Sequence, residues 1–175
     1  MRGLTSRIAW RKHSTRTVTE SGININMRRV VLAGLAAGVV FFLTDAVADE
    51  VVVGPEIRAG LQAIGKPAPQ ESAAMFAYLL GFCSVFGIAL VWLYAVIRPR
   101  FGPGPGTAIR AGLAAWFFFG VIDAFGWAPM GFVPIRVYAI GNVAWVIQTL
   151  LAAMVGGWLY KEATPSNGAY AAGRR

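Results

Sequence analysis

Four apolar stretches, each near the ~20 residues a helix needs to cross a bilayer core, decide what this chain can become. The first follows Arg28-Arg29 and runs from Val30 through Thr44, with a continuation to Val53; the second runs from Ser72 to Ile97 and closes at Arg98-Pro99-Arg100. The third runs from Thr107 to Trp127, before Pro129, Gly131 and Pro134, and the fourth from Ile135 to Tyr160-Lys161-Glu162. A water-facing domain cannot be built around them, because only 14% of the residues are charged and 57% are hydrophobic, against about a quarter charged in soluble domains. A lipid-exposed backbone must satisfy its own hydrogen bonds, so each stretch is read as a helix. An outer-membrane barrel would show short alternating segments instead. The expected fold is all-α: a four-transmembrane-helix bundle within residues 27–162, with helices at about 29–53, 72–97, 107–127 and 135–160.

The basic residues predict orientation, since lysine and arginine beside spanning helices stay on the cytoplasmic side. Thirteen of the sixteen lie in the N-terminal tail, in Arg98, Arg100 and Arg110, or in the C-terminal tail, all on one side of a four-helix path. Arg58, Lys66 and Arg136 alone fall on the other. Both termini are therefore expected inside, in a multi-pass protein of a bacterial inner membrane. The formal net charge of +8 is then a topology signal that calls for membrane lipids as partners and for no nucleic acid.

Residues 1–26 are basic and lack helical periodicity. They read as a disordered tail, as a polybasic segment against anionic lipid, or as an over-called start, because Met27-Arg28-Arg29 has the form of a natural beginning. Residues 163–175 read as a flexible tail. Met27-Arg28-Arg29, an apolar run and Ala46-Val47-Ala48 before Asp49 also have the shape of a cleavable signal peptide. An internal repeat argues for retention.

That repeat sets Ala33–Ala46, AGLAAGVVFFLTDA, against Ala111–Ala124, AGLAAWFFFGVIDA; eight of fourteen positions are identical, Asp45 and Asp123 among them. Trp92-Leu93-Tyr94 and Trp158-Leu159-Tyr160 add a second match near the ends of helices two and four. The economical reading is a duplicated hairpin, giving two tandem parallel hairpins related by an axis along the membrane normal. Small residues at four-residue spacing, Gly34/Gly38, Ala77/Gly81 and Ala153/Gly157, allow close helix approach. Packing within the bundle is preferred over a dimer face, though the spacing allows both.

Asp45 and Asp123 are the leading candidates for chemistry, because an ionisable group in a spanning helix is functional by default. At 1.5 Å per residue they lie roughly 24 and 20 Å beyond Arg29 and Arg110, in the outer leaflet. One reading makes them a symmetry-related pair lining a polar cavity for a cation or proton. The preferred one has them bonded to Arg136, Arg58, Thr44, Asn142 or backbone, fixing helix ends. Asp49 shares a helix face with Asp45, and Asn142 and Gln148 are expected to bond across helices. Asp49, Glu50 and Glu71 form the one acidic group that an outer-face enzyme site would use. Arg98 and Arg100 open a Pro/Gly turn that suits lipid phosphates or a cytoplasmic partner; it lacks the Gly-Lys-Ser/Thr ending of a phosphate cradle. His13, the single histidine, lies outside the apolar stretches, and Cys83 has no charged sequence neighbour. No cofactor, metal site or catalytic set is expected.

The run Trp92-Leu93-Tyr94-Ala95-Val96-Ile97-Arg98-Pro99-Arg100-Phe101-Gly102-Pro103-Gly104 and the closing Gly157-Trp158-Leu159-Tyr160-Lys161-Glu162 resemble a group of small bacterial four-helix integral membrane proteins. The resemblance covers residues 27–162 and implies the fold; it brings no activity, so no functional residue is carried over. The expected function is a non-catalytic accessory or scaffold subunit, acting through helix contacts with itself or a larger membrane complex. The alternative is a small cation- or proton-coupled transporter or channel that uses Asp45 and Asp123.

Overall fold

The computed structural model of the protein describes residues 25–67, 72–131 and 134–160; the readings made of residues 1–24, of Glu71 and of residues 161–175 lie outside them. Helix α1 spans Met27–Ala48 and passes into a π-helical segment, Asp49–Val53, followed by α2, Gly54–Ala63. Helix α3 is Ala73–Phe101 and α4 is Pro105–Trp116; a second π-helical segment, Phe117–Val121, leads into α5, Ile122–Trp127, and a 3-10 turn at Ala128–Met130. Helix α6 is Ile135–Leu159, and no strand occurs among the described residues. Four continuous helical spans, Met27–Val51, Ala73–Phe101, Pro105–Met130 and Ile135–Leu159, are long and apolar enough to cross a membrane. They make the chain a multi-pass membrane protein.

Local chemistry sets the helix ends. Asn26 caps α1 by accepting from the Arg29 N–H, and Ser72 caps α3 by accepting from Met75 N–H; each satisfies one orphan donor of a first turn. Helix α3 runs four residues past the Ile97 boundary expected from the arginines, carrying Pro99 in its last turn. Proline there loses one hydrogen bond without breaking the helix, which ends at Gly102 with φ +80°. Gly104, at φ +131°, completes a turn only three residues long, braced by Thr107 Oγ1 donating to Gly102 O at 2.7 Å and Gly104 N–H donating to Tyr94 Oη at 3.3 Å. Both glycines occupy backbone conformations that side chains disfavour.

Helices α1 and α3 meet backbone to backbone. A Cβ on Gly38 would fall 2.6 Å from the Cys83 carbonyl oxygen and 2.8 Å from Ser84 Cα, and one on Gly87 would fall 2.7 Å from Gly38 Cα. Gly34 meets Ile88 in the same seam, so contacts that climb α1 descend α3 and the two helices are antiparallel. Helices α4 and α6 are antiparallel as well: Gly112 lies against Thr149, Leu150 and Ala153, and Gly120 against Asn142 and Trp145. Gly157 packs on Ala108 and Tyr94, with Ala153 buried. Two of the three expected small-residue faces are thus occupied inside the bundle. Ala77 and Gly81 lie exposed on α3, and nothing comes within 4 Å of a Cβ on Gly81.

The core is apolar and tight, built on Val30, Ala33, Ala37, Phe41, Cys83, Leu90 and Val91. The outer surface is apolar too: Leu32, Leu43, Val85, Phe118, Phe125, Val143 and Trp158 are all exposed. In water such a surface would aggregate; in lipid it is the solvated face. Helix α2 is the exception, a short polar helix at one end of the bundle, tied down by Arg136 Nη2 donating to Glu56 Oε1 at 2.6 Å.

Candidate functional site

At the end of the bundle where α1 and α5 finish and α6 begins, the helices diverge around a cavity of about 370 Å³. Asp45, Asp49 and Asp123 line it together with Asn142 and Gln148. The two aspartates of the repeat therefore face a common space. Every titratable residue in the lining is a carboxylate, apart from the Tyr138 phenol. The nearby arginines are engaged elsewhere, Arg136 with Glu56 and Arg58 with Glu50 at 4.0 Å; of the partners expected for Asp45 and Asp123, these two arginines bond to neither.

The two aspartates differ. Asp123 is exposed and its Oδ1 accepts from the Trp127 indole N–H at 3.0 Å, one turn along. Asp45 is half-buried and has no hydrogen bond or ion pair among the described residues. Thr44 beside it donates its hydroxyl back to Val40 O and Phe41 O, at 2.9 and 3.0 Å.

Both amides have an oxygen that nothing among the described residues satisfies. Gln148 is 3% exposed; its Nε2 donates to Thr44 O at 3.4 Å, while Oε1 is buried and unpartnered. Asn142 Nδ2 donates to Tyr138 O at 3.0 Å, one turn back, and its Oδ1 is likewise buried without a partner. Such groups are uncommon in folded proteins, because an unmade buried hydrogen bond costs about 1–3 kcal/mol. Gly120 makes room for Asn142: a Cβ there would lie 2.8 Å from Oδ1.

Both π-helical segments border this cavity. Asp49 and Val53 come from the first, Phe119 and Gly120 from the second. The Gly54 N–H donates to Asp49 O and the Ile122 N–H to Phe117 O, each five residues back. A π segment widens one turn and re-aims the residues after it, and such segments concentrate at functional sites.

Beneath the cavity lies an aromatic cluster. Phe41 and Phe86 are buried with ring centroids 4.7 Å apart, and Trp145 stands 5.6 Å from Phe41 and 5.8 Å from Phe86. Phe119 meets Phe86 edge to face at 5.8 Å. Trp145 and Phe119 belong to the cavity wall as well, so the polar space ends on a floor of aromatic rings.

A second, larger cavity of about 710 Å³ opens at the opposite end, lined by Tyr94, Arg98, Pro103, Met154, Trp158 and Tyr160 among others. Its wall contains no carboxylate, and Arg98 stands over the Tyr160 ring at 5.8 Å. Arg100 and Arg110 both stand over the Phe101 ring, at 5.9 and 4.8 Å from its centroid. The two ends of the bundle thus have opposite chemistry.

Among the named candidates, Asp45, Asp49, Asp123, Asn142 and Gln148 come together, whereas Arg136, at the start of α6, turns to Glu56 of α2. Glu50 pairs with Arg58 and is not in the cavity wall. Phe119, Gly120, Tyr138 and Trp145 were not singled out from the sequence. One signal for Gly120 was present: in the repeat it stands opposite Phe42, a large residue against none. Among the described residues no three carboxylates, histidines or cysteines gather closely enough to hold a metal ion. Compared with protein-family models, curated proteins and solved structures, the chain matches none.

Proposed function

We propose that this protein binds a cation in the cavity between Asp45 and Asp123 and carries it across the membrane, as a small transporter or channel and not as an enzyme. The observation that supports this most is that three aspartates and two amides with unpartnered buried oxygens line one space, whose described wall holds no basic side chain. Uncompensated negative charge in low-dielectric surroundings is costly, and a bound cation or proton relieves it. The half-buried, unpartnered Asp45 is the central ligand and the accessible Asp123 the outer one. The aromatic floor separates the cavity from the far side, so passage requires the Phe41, Phe86 and Trp145 rings to part.

The two-hairpin duplication, the placement of both termini inside and the bacterial inner membrane belong to the same proposal. Basic residues gather at the Arg98 end, and the acidic cavity then opens outward. The competing role, an accessory or scaffold subunit working through helix contacts, rests on the exposed Ala77 and Gly81 strip, since the other small-residue faces are occupied within the chain. Reconstituted vesicles separate the two. Cation or proton flux that both Asp45→Asn and Asp123→Asn abolish supports transport; flux unchanged in both variants removes it.

A further inference from the structure

The cavity wall has a second chemistry besides its charge. Trp145, Phe119 and Tyr138 present aromatic surface to it, and Val53, Ile57 and Val137 add aliphatic surface, while the carboxylates reach it from α1, its π segment and α5. A bare metal ion is held by several oxygens drawn close around it, and these acids do not gather in that way. At about 370 Å³ the space lies in the range of small-molecule sites, which are mostly apolar with a few placed polar groups. A weakly hydrated cation beside aromatic faces gains from the ring quadrupoles, whereas a strongly hydrated inorganic ion gains little from an apolar wall.

Resting on the cation-binding reading above, we infer that the ligand class of this cavity is a small organic ammonium carrying apolar or aromatic bulk. Its charge sits toward Asp45 and Asp123, its apolar part lies against Trp145 and Phe119, and the Gln148 and Asn142 side-chain oxygens accept from any ammonium N–H. Gln148 is the independent pointer: its side chain belongs to the cavity lining and its carbonyl oxygen is buried without a partner among the described residues, a deficit that a donor or cation from outside the protein would relieve.

Calorimetric titration of the detergent-purified full chain with benzyltrimethylammonium, and separately with sodium, potassium and calcium chloride, tests the assignment. Saturable binding of benzyltrimethylammonium is expected, at least tenfold tighter than that of any inorganic ion. Asp45→Asn should weaken it tenfold or more and Trp145→Leu severalfold, with Trp145→Phe, which keeps an aromatic face, restoring most of the loss. Thermal unfolding of each variant checks that it is folded. Inorganic-cation binding that depends on Asp45, with no saturable binding of the organic cation, overturns the ligand class and leaves the cation site standing. Absence of binding by every cation overturns both. Organic-cation binding indifferent to Trp145→Leu in a folded variant refutes the aromatic wall as its basis.

Discussion

Trp116 donates its indole N–H to the Asn142 carbonyl oxygen at 3.0 Å, from the place in α4 that Gly38 holds in α1 of the repeated sequence. Gly38 lets α1 lie directly on the α3 backbone; Trp116 puts an indole between α4 and α6. The first pair meets backbone to backbone, the second through side chains, and Asn142 at that second seam also lines the cavity. Trp116→Phe removes the donor and keeps most of the bulk. It should cost about 0.5–1.5 kcal/mol, seen as a modestly lowered unfolding temperature in detergent; a drop of several kcal/mol would show that more than this bond is lost.

The α1–α3 seam predicts a sharper effect. Gly38→Val or Gly87→Val places atoms where the facing backbone already lies, and backbone cannot rotate away as a side chain can. A loss of about 1–3 kcal/mol or more is expected. Gly81→Ala, in open space on the same α3, should leave stability unchanged or slightly raised, by the helix propensity difference of about 1 kcal/mol. Equal losses at Gly38 and Gly81 would contradict this packing.

Asp45 and Asp123 should behave differently when neutralised. Asn in place of Asp45 removes an unpartnered, half-buried charge, so Asp45→Asn is expected to stabilise the detergent-solubilised protein by roughly 1 kcal/mol even as it abolishes flux. Asp123→Asn keeps an acceptor for Trp127 and should be nearly neutral in stability. Chemical denaturation in mixed micelles reads both, and destabilisation by Asp45→Asn would mean that the carboxylate is held by a partner.

Gly120→Ala offers a test of the cavity with little chemistry changed. Its methyl group would press on Asn142 Oδ1 at 2.8 Å and on Trp116 Cδ1 at 3.1 Å, displacing the amide into the cavity. Cation affinity should fall about tenfold, equivalent to ~1.4 kcal/mol, with the helical content of the protein intact. Unaltered affinity would place the ligand away from Asn142.

Orientation is accessible because Cys83, the one native thiol, is buried. Maleimide labelling of intact cells should therefore be silent in the parent chain. It should appear at Glu56→Cys from outside and at Arg100→Cys only after permeabilisation. The reverse order would invert the proposed topology.

The four spans were readable from apolar length and flanking charge because lipid leaves the backbone few alternatives. Their ends were less so. Pro99 looked like a terminator, yet proline in a final turn disturbs only a bond that is nearly the last. Helix α2 escaped notice because Gly54, Pro55 and Gly60 resemble loop composition, and its attachment through Glu56 and Arg136 joins residues eighty apart. Asp45, Asp123, Asn142 and Gln148 were visible as polar residues in apolar surroundings, but a shared cavity for the two aspartates was only the less favoured of two readings, and the amides were not placed in it. Two π segments border the cavity, and a hydrogen bond that skips one extra residue leaves no mark in hydropathy or spacing. Arg136, one of several partners expected for the aspartates, went to a carboxylate on an element that had not been foreseen.

The second π segment, Phe117–Val121, carries a consequence of phase. Asp45 and Asp123 stand the same number of residues beyond Ala33 and Ala111, but only the second path crosses a widened turn. Each residue of an α-helix advances the azimuth by about 100°, and an interrupted ladder lets the later carboxylate lag behind the angle its twin adopts. Equal spacing along the chain thus yields two stereochemically unequal acids, one half-buried in the bundle and one facing out. A ligand between them meets a head and a tail, because the two matching segments present it with unequal acids.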